Sequence, residues 1–210
     1  MFSSFACFAI LNALMDRREF IKGSAWMGAL AAFSGCCAGR LGFGAGGSMH
    51  GFHVAPMKFV RVGIIGTDTW HAREFTRLLN IETNRTEFAG FKVTAAYRWG
   101  SRDIPGSLKE AEDYIPQLKA WGIEFVDSIA ELLKRVDVVL LETNDGREHL
   151  AQAEEVFRSG KPVFIDKPVA ESFAAVEAID RLAKKYGRRW YSSSGLRFQR
   201  AIRRARRMRA

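Results

Sequence analysis

From residue 57 onward the chain alternates short, apolar, β-branched runs with longer segments of helical spacing, and that alternation constrains the fold more than any other feature. The runs fall at 59–66, 91–97, 123–126, 136–142, 162–166 and 189–192. Helical segments are expected over 71–80, 108–121, 147–159 and 171–186, with a further helix after Ser128. Ser128 and Glu131, three residues apart, form a capping box that starts it. Strand–helix alternation with short connections requires right-handed crossovers, and so a doubly wound parallel α/β sheet of Rossmann-like type. Such sheets bind ligands beyond the carboxyl ends of their strands. The chemistry is therefore expected just after each apolar run.

The first run contains Gly63 and leads into Gly66-Thr67-Asp68-Thr69-Trp70-His71, ahead of a helix. A dinucleotide pyrophosphate rests at such a place, on backbone N–H groups at a helix N-terminus. Of the usual Gly-x-Gly-x-x-Gly only Gly66 is present, with Asp68 and His71 in place of the other glycines. Two readings stay open: a pyrophosphate turn whose Asp68 carboxylate points away, or a plain tight turn with Asp68 capping the helix. The second run ends at Tyr97-Arg98, where an acid would hold a ribose hydroxyl and Arg98 would suit a 2′-phosphate. A solvated surface arginine is the competing reading. After the fourth run come Thr143, Asn144 and His149, placed to line the nicotinamide half, although His149 also suits an ordinary first helical turn.

The fifth run gives Gly160-Lys161-Pro162-Val163-Phe164-Ile165-Asp166-Lys167-Pro168. A lysine at the end of a central strand, beside an aspartate and ahead of a proline, can hydrogen-bond a substrate hydroxyl and stabilise its oxygen as hydride leaves. This segment resembles the Gly-Lys-x-Val and Glu-Lys-Pro signature of the Gfo/Idh/MocA oxidoreductases, with Asp166 for glutamate. His149 and Ala153 fall at that family's spacing before Gly160, Thr143-Asn144-Asp145 stands for its Thr-Pro-Asn, and Arg197-Phe198 is similar to its Arg-Phe segment. The resemblance covers residues 57–198. It implies NAD- or NADP-dependent hydride transfer on a sugar, inositol or similar polyol, with Lys167 as catalytic residue. Gly63, Gly66, Thr67, Asp68, His71, Arg98, Thr143, Asn144, His149, Asp166 and Pro168 are the expected cofactor-binding set. It also implies a second, substrate-binding domain, which the sequence given does not contain.

The ends of the chain carry its charge. Residues 57–195 hold 21 basic and 21 acidic side chains, whereas 196–210 hold seven arginines and no acid. The tail at 199–210 is read as foreign to the fold, from a shifted or truncated reading frame, and no nucleic-acid binding is expected of it. Asp16-Arg17-Arg18-Glu19-Phe20-Ile21-Lys22 resembles a twin-arginine export signal, followed by an uncharged run over 23–35. At about 13 residues that run is shorter than the roughly 20 a membrane-spanning helix needs. Residues 1–37 are thus expected to be an export region that engages the twin-arginine machinery, and 38–56 a glycine-rich linker. Cys36 is either incidental or a site for a lipid anchor. Cys7, Cys36 and Cys37 all precede the globular region, which therefore has no thiolate metal site; no metal is expected. The product is read as folded in the cytoplasm and exported to the periplasm or the outer side of the membrane. A non-catalytic binding module with the same fold is the alternative function.

Overall fold

In the computed structural model the described residues are 59–82 and 90–194. The export region 1–37, the linker 38–56, Cys36, Arg197-Phe198 and the arginine-rich tail 199–210 lie outside them. The described residues form strand β1 (Val60–Ile65), helix α1 (Trp70–Thr76) running into a π-helical turn (Arg77–Ile81), and β2 (Phe91–Tyr97). Helices α2 (Ser107–Asp113) and α3 (Ile115–Ala120) precede β3 (Glu124–Val126). Then come α4 (Ile129–Arg135), β4 (Val138–Leu141), α5 (His149–Arg158), β5 (Val163–Ile165), α6 (Phe173–Lys185) and β6 (Trp190–Tyr191). The six strands pair in the order β3-β2-β1-β4-β5-β6, every pair parallel. That is the expected doubly wound sheet, and its order reverses between β1 and β4.

Both faces of the sheet are covered, which is why its central strands are apolar throughout rather than alternating. Val62, Ile64, Val138, Leu140 and Phe164 point to one face, under Ala72 and Phe75 of α1 and Leu118 of α3. Ile65, Val139, Leu141, Val163 and Ile165 point to the other, against Leu132 of α4, Val156 and Phe157 of α5 and Ile179 of α6. At 25 cal/mol per Å², each such side chain contributes about 1.5–3 kcal/mol on burial.

Gly63 is fixed by this packing. A Cβ there would stand 2.9 Å from a Val136 methyl and 3.2 Å from Leu132 Cγ. The expectation that Gly63 belongs to the cofactor site is corrected here: it lets α4 approach β1 and lies within the core, not at the strand end.

Other departures from the sequence reading have local causes. The helix expected over 108–121 is broken at Tyr114, because Pro116 has no N–H to donate and sits at the start of a new helix, α3. The helix expected from 147 begins at His149, since the Asp145 carboxylate captures the Arg147 backbone N–H at 3.0 Å and holds a turn instead. Ser128 caps α4 as expected, accepting from Glu131 N–H at 3.1 Å. Ser172 caps α6 in the same way, accepting from Ala175 N–H at 3.2 Å. Each cap is worth about 1 kcal/mol.

Candidate dinucleotide and hydride-transfer site

The site is built where β1, β4 and β5 run out side by side. Gly66 ends β1 with φ +88°, and a Cβ there would stand 2.4 Å from Thr143 N and 2.6 Å from Thr143 Cα. Only glycine tolerates both that backbone region and that approach. The turn is further held by Gly66 N–H donating to Tyr97 O at 3.0 Å and by the Thr67 hydroxyl donating to Ala111 O at 3.3 Å. Thr67 and Asp68 are completely buried.

The question raised by Asp68 is answered by its partners. Its carboxylate accepts from the Ser107 hydroxyl at 2.7 Å and from Asn144 N–H at 3.2 Å. It is therefore directed into the protein and binds the β1 turn to the loops that follow β2 and β4. Burial pushes its carboxyl above the usual range, against the lowering effect of the Ser107 and Asn144 hydrogen bonds. The loop thus presents no exposed carboxylate to a phosphate. Asp68 does not cap α1, whose N-cap is Thr69; the Thr69 hydroxyl donates to Glu142 O at 3.2 Å.

His71, Asp166 and Lys167 meet at one oxygen. His71 Nδ1 stands 2.5 Å from Asp166 Oδ2, and Lys167 Nζ stands 3.4 Å from the same oxygen. The lysine is thereby tied to the helix that follows the Gly66 turn. It is half-exposed, whereas Asp166 is buried. Lys167, Val169, Trp190, Tyr191 and the serines at 192–194 line a cleft of about 450 Å³ at the ends of β5 and β6. The Lys167–Pro168 peptide bond is cis.

The remaining expected residues are placed differently. Thr143 is buried under Gly66, its hydroxyl donating to Gln152 Oε1 at 2.9 Å. Asn144 contributes its backbone N–H to Asp68. His149 is completely buried, with Nε2 2.7 Å from Thr143 O and Nδ1 3.1 Å from Val169 O. Its ring lies buried between the β4–α5 and β5–α6 loops, against a backbone carbonyl of each. Arg98 is exposed just past β2 and pairs with Glu112 at 2.8 Å.

Two features were missed in the sequence. Glu142, just past β4, is completely buried, and neither carboxylate oxygen has a hydrogen-bond partner. Burial, reinforced by the neighbouring Asp166 charge, pushes its carboxyl well above the usual range. The available signal was an acid directly continuing the run Val-Val-Leu-Leu. The second feature is an ionic cluster. Arg147 bonds Asp145 at 2.6 Å and Asp103 at 2.7 Å, and the Ser101 hydroxyl lies 2.8 Å from Asp145 and 2.7 Å from Asp103. Hydrogen bonds from Arg147 hold the Asp145 carboxyl well below the usual carboxylate range and lower that of Asp103 to about 2.

Because both folded values lie below the ordinary 3.8, the stability this cluster provides is present above about pH 4. It is lost as pH falls through the folded values. Replacing Arg147 with glutamine is expected to shift the acid-unfolding midpoint, followed by far-UV circular dichroism, to higher pH. An unchanged midpoint would contradict the assignment.

A parallel sheet reversing between β1 and β4, with a left-handed glycine turn at that point, is the architecture of a Rossmann-type dinucleotide-binding domain. Residues 60–193 match the Gfo/Idh/MocA family, described as "Oxidoreductase family, NAD-binding Rossmann fold". The chain belongs to that family. YceM of Salmonella typhimurium, named as an oxidoreductase, is 29% identical over 127 residues, 60% of this chain and 36% of YceM. Among solved structures, apo scyllo-inositol dehydrogenase from Lactobacillus casei aligns with a TM-score of 0.52 and 20% identity, covering 72% of this chain and 41% of that one. The WlbA dehydrogenase from Chromobacterium violaceum, in complex with NADH and UDP-GlcNAcA, gives 0.54 and 18%, covering 71% and 39%. The chain thus spans about two fifths of the length of these relatives.

Proposed function

We propose that this domain serves an exported enzyme that oxidises or reduces a sugar, inositol or similar polyol, with Lys167 holding the reacting oxygen. One observation carries the reading: Lys167 is joined through Asp166 to His71, on the helix that opens after the Gly66 turn. The dinucleotide, when bound, supplies the hydride donor or acceptor. Its fit rests on the left-handed Gly66 turn and on the Asp68 carboxylate being directed inward. The backbone N–H groups at Thr69 and Trp70, where α1 starts, would hold the pyrophosphate, and Arg98 would lie near the adenosine ribose.

Lys167 Nζ then donates a hydrogen bond to the substrate oxygen and stabilises negative charge that develops on it. Asp166 keeps the ammonium at the strand end. The cleft beside Lys167 supplies room for a small polar substrate, its serines offering hydroxyls to a polyol. Scyllo-inositol dehydrogenase and the sugar-nucleotide complex of WlbA lend the substrate class support. Export rests on Arg17-Arg18 and the apolar run behind them, a route that carries folded proteins, with Cys36 a candidate lipid anchor.

Saturating NADP or NAD is expected to raise the melting temperature of the purified chain. At a hundred times Kd the gain is about 2.7 kcal/mol, several degrees for a domain of this size. Differential scanning fluorimetry reads it. No shift with any dinucleotide would favour a non-catalytic module.

A further inference from the structure

We propose that His71, Glu142 and Asp166 form a binding site for one divalent transition-metal cation of the zinc, cobalt and manganese class, set beneath Lys167. The three side chains come from separate elements that the sheet brings together: the first turn of α1 and the residues just past β4 and β5. Nδ1 of His71 and one oxygen from each carboxylate all lie within 4.8 Å of one another. Among the described residues no other group of three or more histidine, cysteine or acidic side chains has that geometry.

Glu142 supplies the independent observation. It is completely buried just past β4, and both oxygens lack any hydrogen-bond partner. A carboxylate in that state costs several kcal/mol unless a cation or a proton neutralises it. The second carboxylate beside it, Asp166, is 3% exposed and carries the hydrogen bonds from His71 and Lys167. Among the described residues no hydrogen bond does the same for Glu142, and only the charge of Lys167 favours its ionised form. One divalent ion balances two carboxylates and gives Glu142 the partner it lacks.

The donor set selects the class of ion. Calcium and magnesium take oxygen ligands, whereas one imidazole nitrogen with two carboxylate oxygens suits zinc and its neighbours. Ligand atoms around a tetrahedral ion of this class stand roughly 3.4 Å apart. The 2.5 Å His71–Asp166 contact must therefore open by about 0.9 Å on binding. Three protein ligands leave a fourth position free, and Lys167 already sits over Asp166. The ion would pin the start of α1 to the ends of β4 and β5. It would thereby fix the Gly66 turn and the Lys167 ammonium relative to each other.

The test uses the full chain, stripped with chelator and titrated with Co²⁺ while visible absorption and bound metal are measured. The expected result is one equivalent with the weak d–d bands of a nitrogen–oxygen site. Glu142→Gln, an isosteric change, is expected to weaken that equivalent by at least about 100-fold, and His71→Ala to do the same. Any site at Cys36 and Cys37 would show thiolate charge-transfer bands and survive both changes. Circular dichroism of each variant establishes that it is folded; should one fail to fold, the other decides. Absence of a nitrogen–oxygen equivalent, or equal affinity in a folded variant, would overturn the site and leave a proton on Glu142 as the neutralising charge. Because the readout is metal content and colour, the result is independent of whether a dinucleotide binds.

Discussion

Replacing Gly66 with valine is expected to cost about 3 kcal/mol or more of folding stability and to abolish any dinucleotide-induced rise in melting temperature. Two effects add. A non-glycine residue at φ +88° carries about 1–2 kcal/mol of backbone strain, more when β-branched. The new Cβ would also stand 2.4 Å from Thr143 N and 2.6 Å from its hydroxyl oxygen, so β1 and β4 must part locally. Overpacking of that kind costs a further 1–3 kcal/mol, roughly. Gly122→Val separates the terms, because Gly122 has φ +81° and nothing within 4 Å of its would-be Cβ. Urea unfolding of the two variants should differ by the overpacking cost alone. Equal losses would show that the Gly66–Thr143 approach is not what holds the turn.

On the proposed function, Lys167→Met in an enzyme that turns over a polyol is expected to lower kcat/KM by about 10²–10⁴-fold, the usual contribution of a positioned proton donor or charge stabiliser. Methionine preserves much of the side-chain length and removes the ammonium. Lys167 is half-exposed and pairs with Asp166, so folding stability should change by under about 1 kcal/mol. The melting shift given by NADP or NAD should persist. Loss of turnover with retained dinucleotide binding identifies a group acting on substrate. Parallel loss of both would instead make Lys167 part of the cofactor cradle.

The strand–helix rhythm was legible because each central strand is buried on both faces and so reads as an unbroken apolar run. Lys167 was legible for a related reason: the charged pair Asp166-Lys167 directly after Val163–Ile165 marks a strand end. The glycine turn was legible as a turn, but the direction of Asp68 was not. Its partners, Ser107 and Asn144, lie 39 and 76 residues away, and no local pattern reports such contacts. Glu142 escaped notice for the opposite reason. An acid closing an apolar strand reads as the strand reaching solvent, and only the packing of α1 against the ends of β4 and β5 shows that it does not. Gly63 was counted with the cofactor-binding residues because the packing role of a strand glycine shows only once the helix above it is known.

The Arg147 cluster joins Ser101 and Asp103, in the loop after β2, to Asp145 in the loop after β4. Asp68 links those same two loops from below, through Ser107 and Asn144. They therefore behave as a single jaw and not as independent flaps. An engineer seeking to change the cofactor preference near Arg98 would find that edits on one side displace the opposite side. Libraries that vary both loops together, with Ser101, Asp103 and Arg147 held constant, have the better prospect of yielding folded variants.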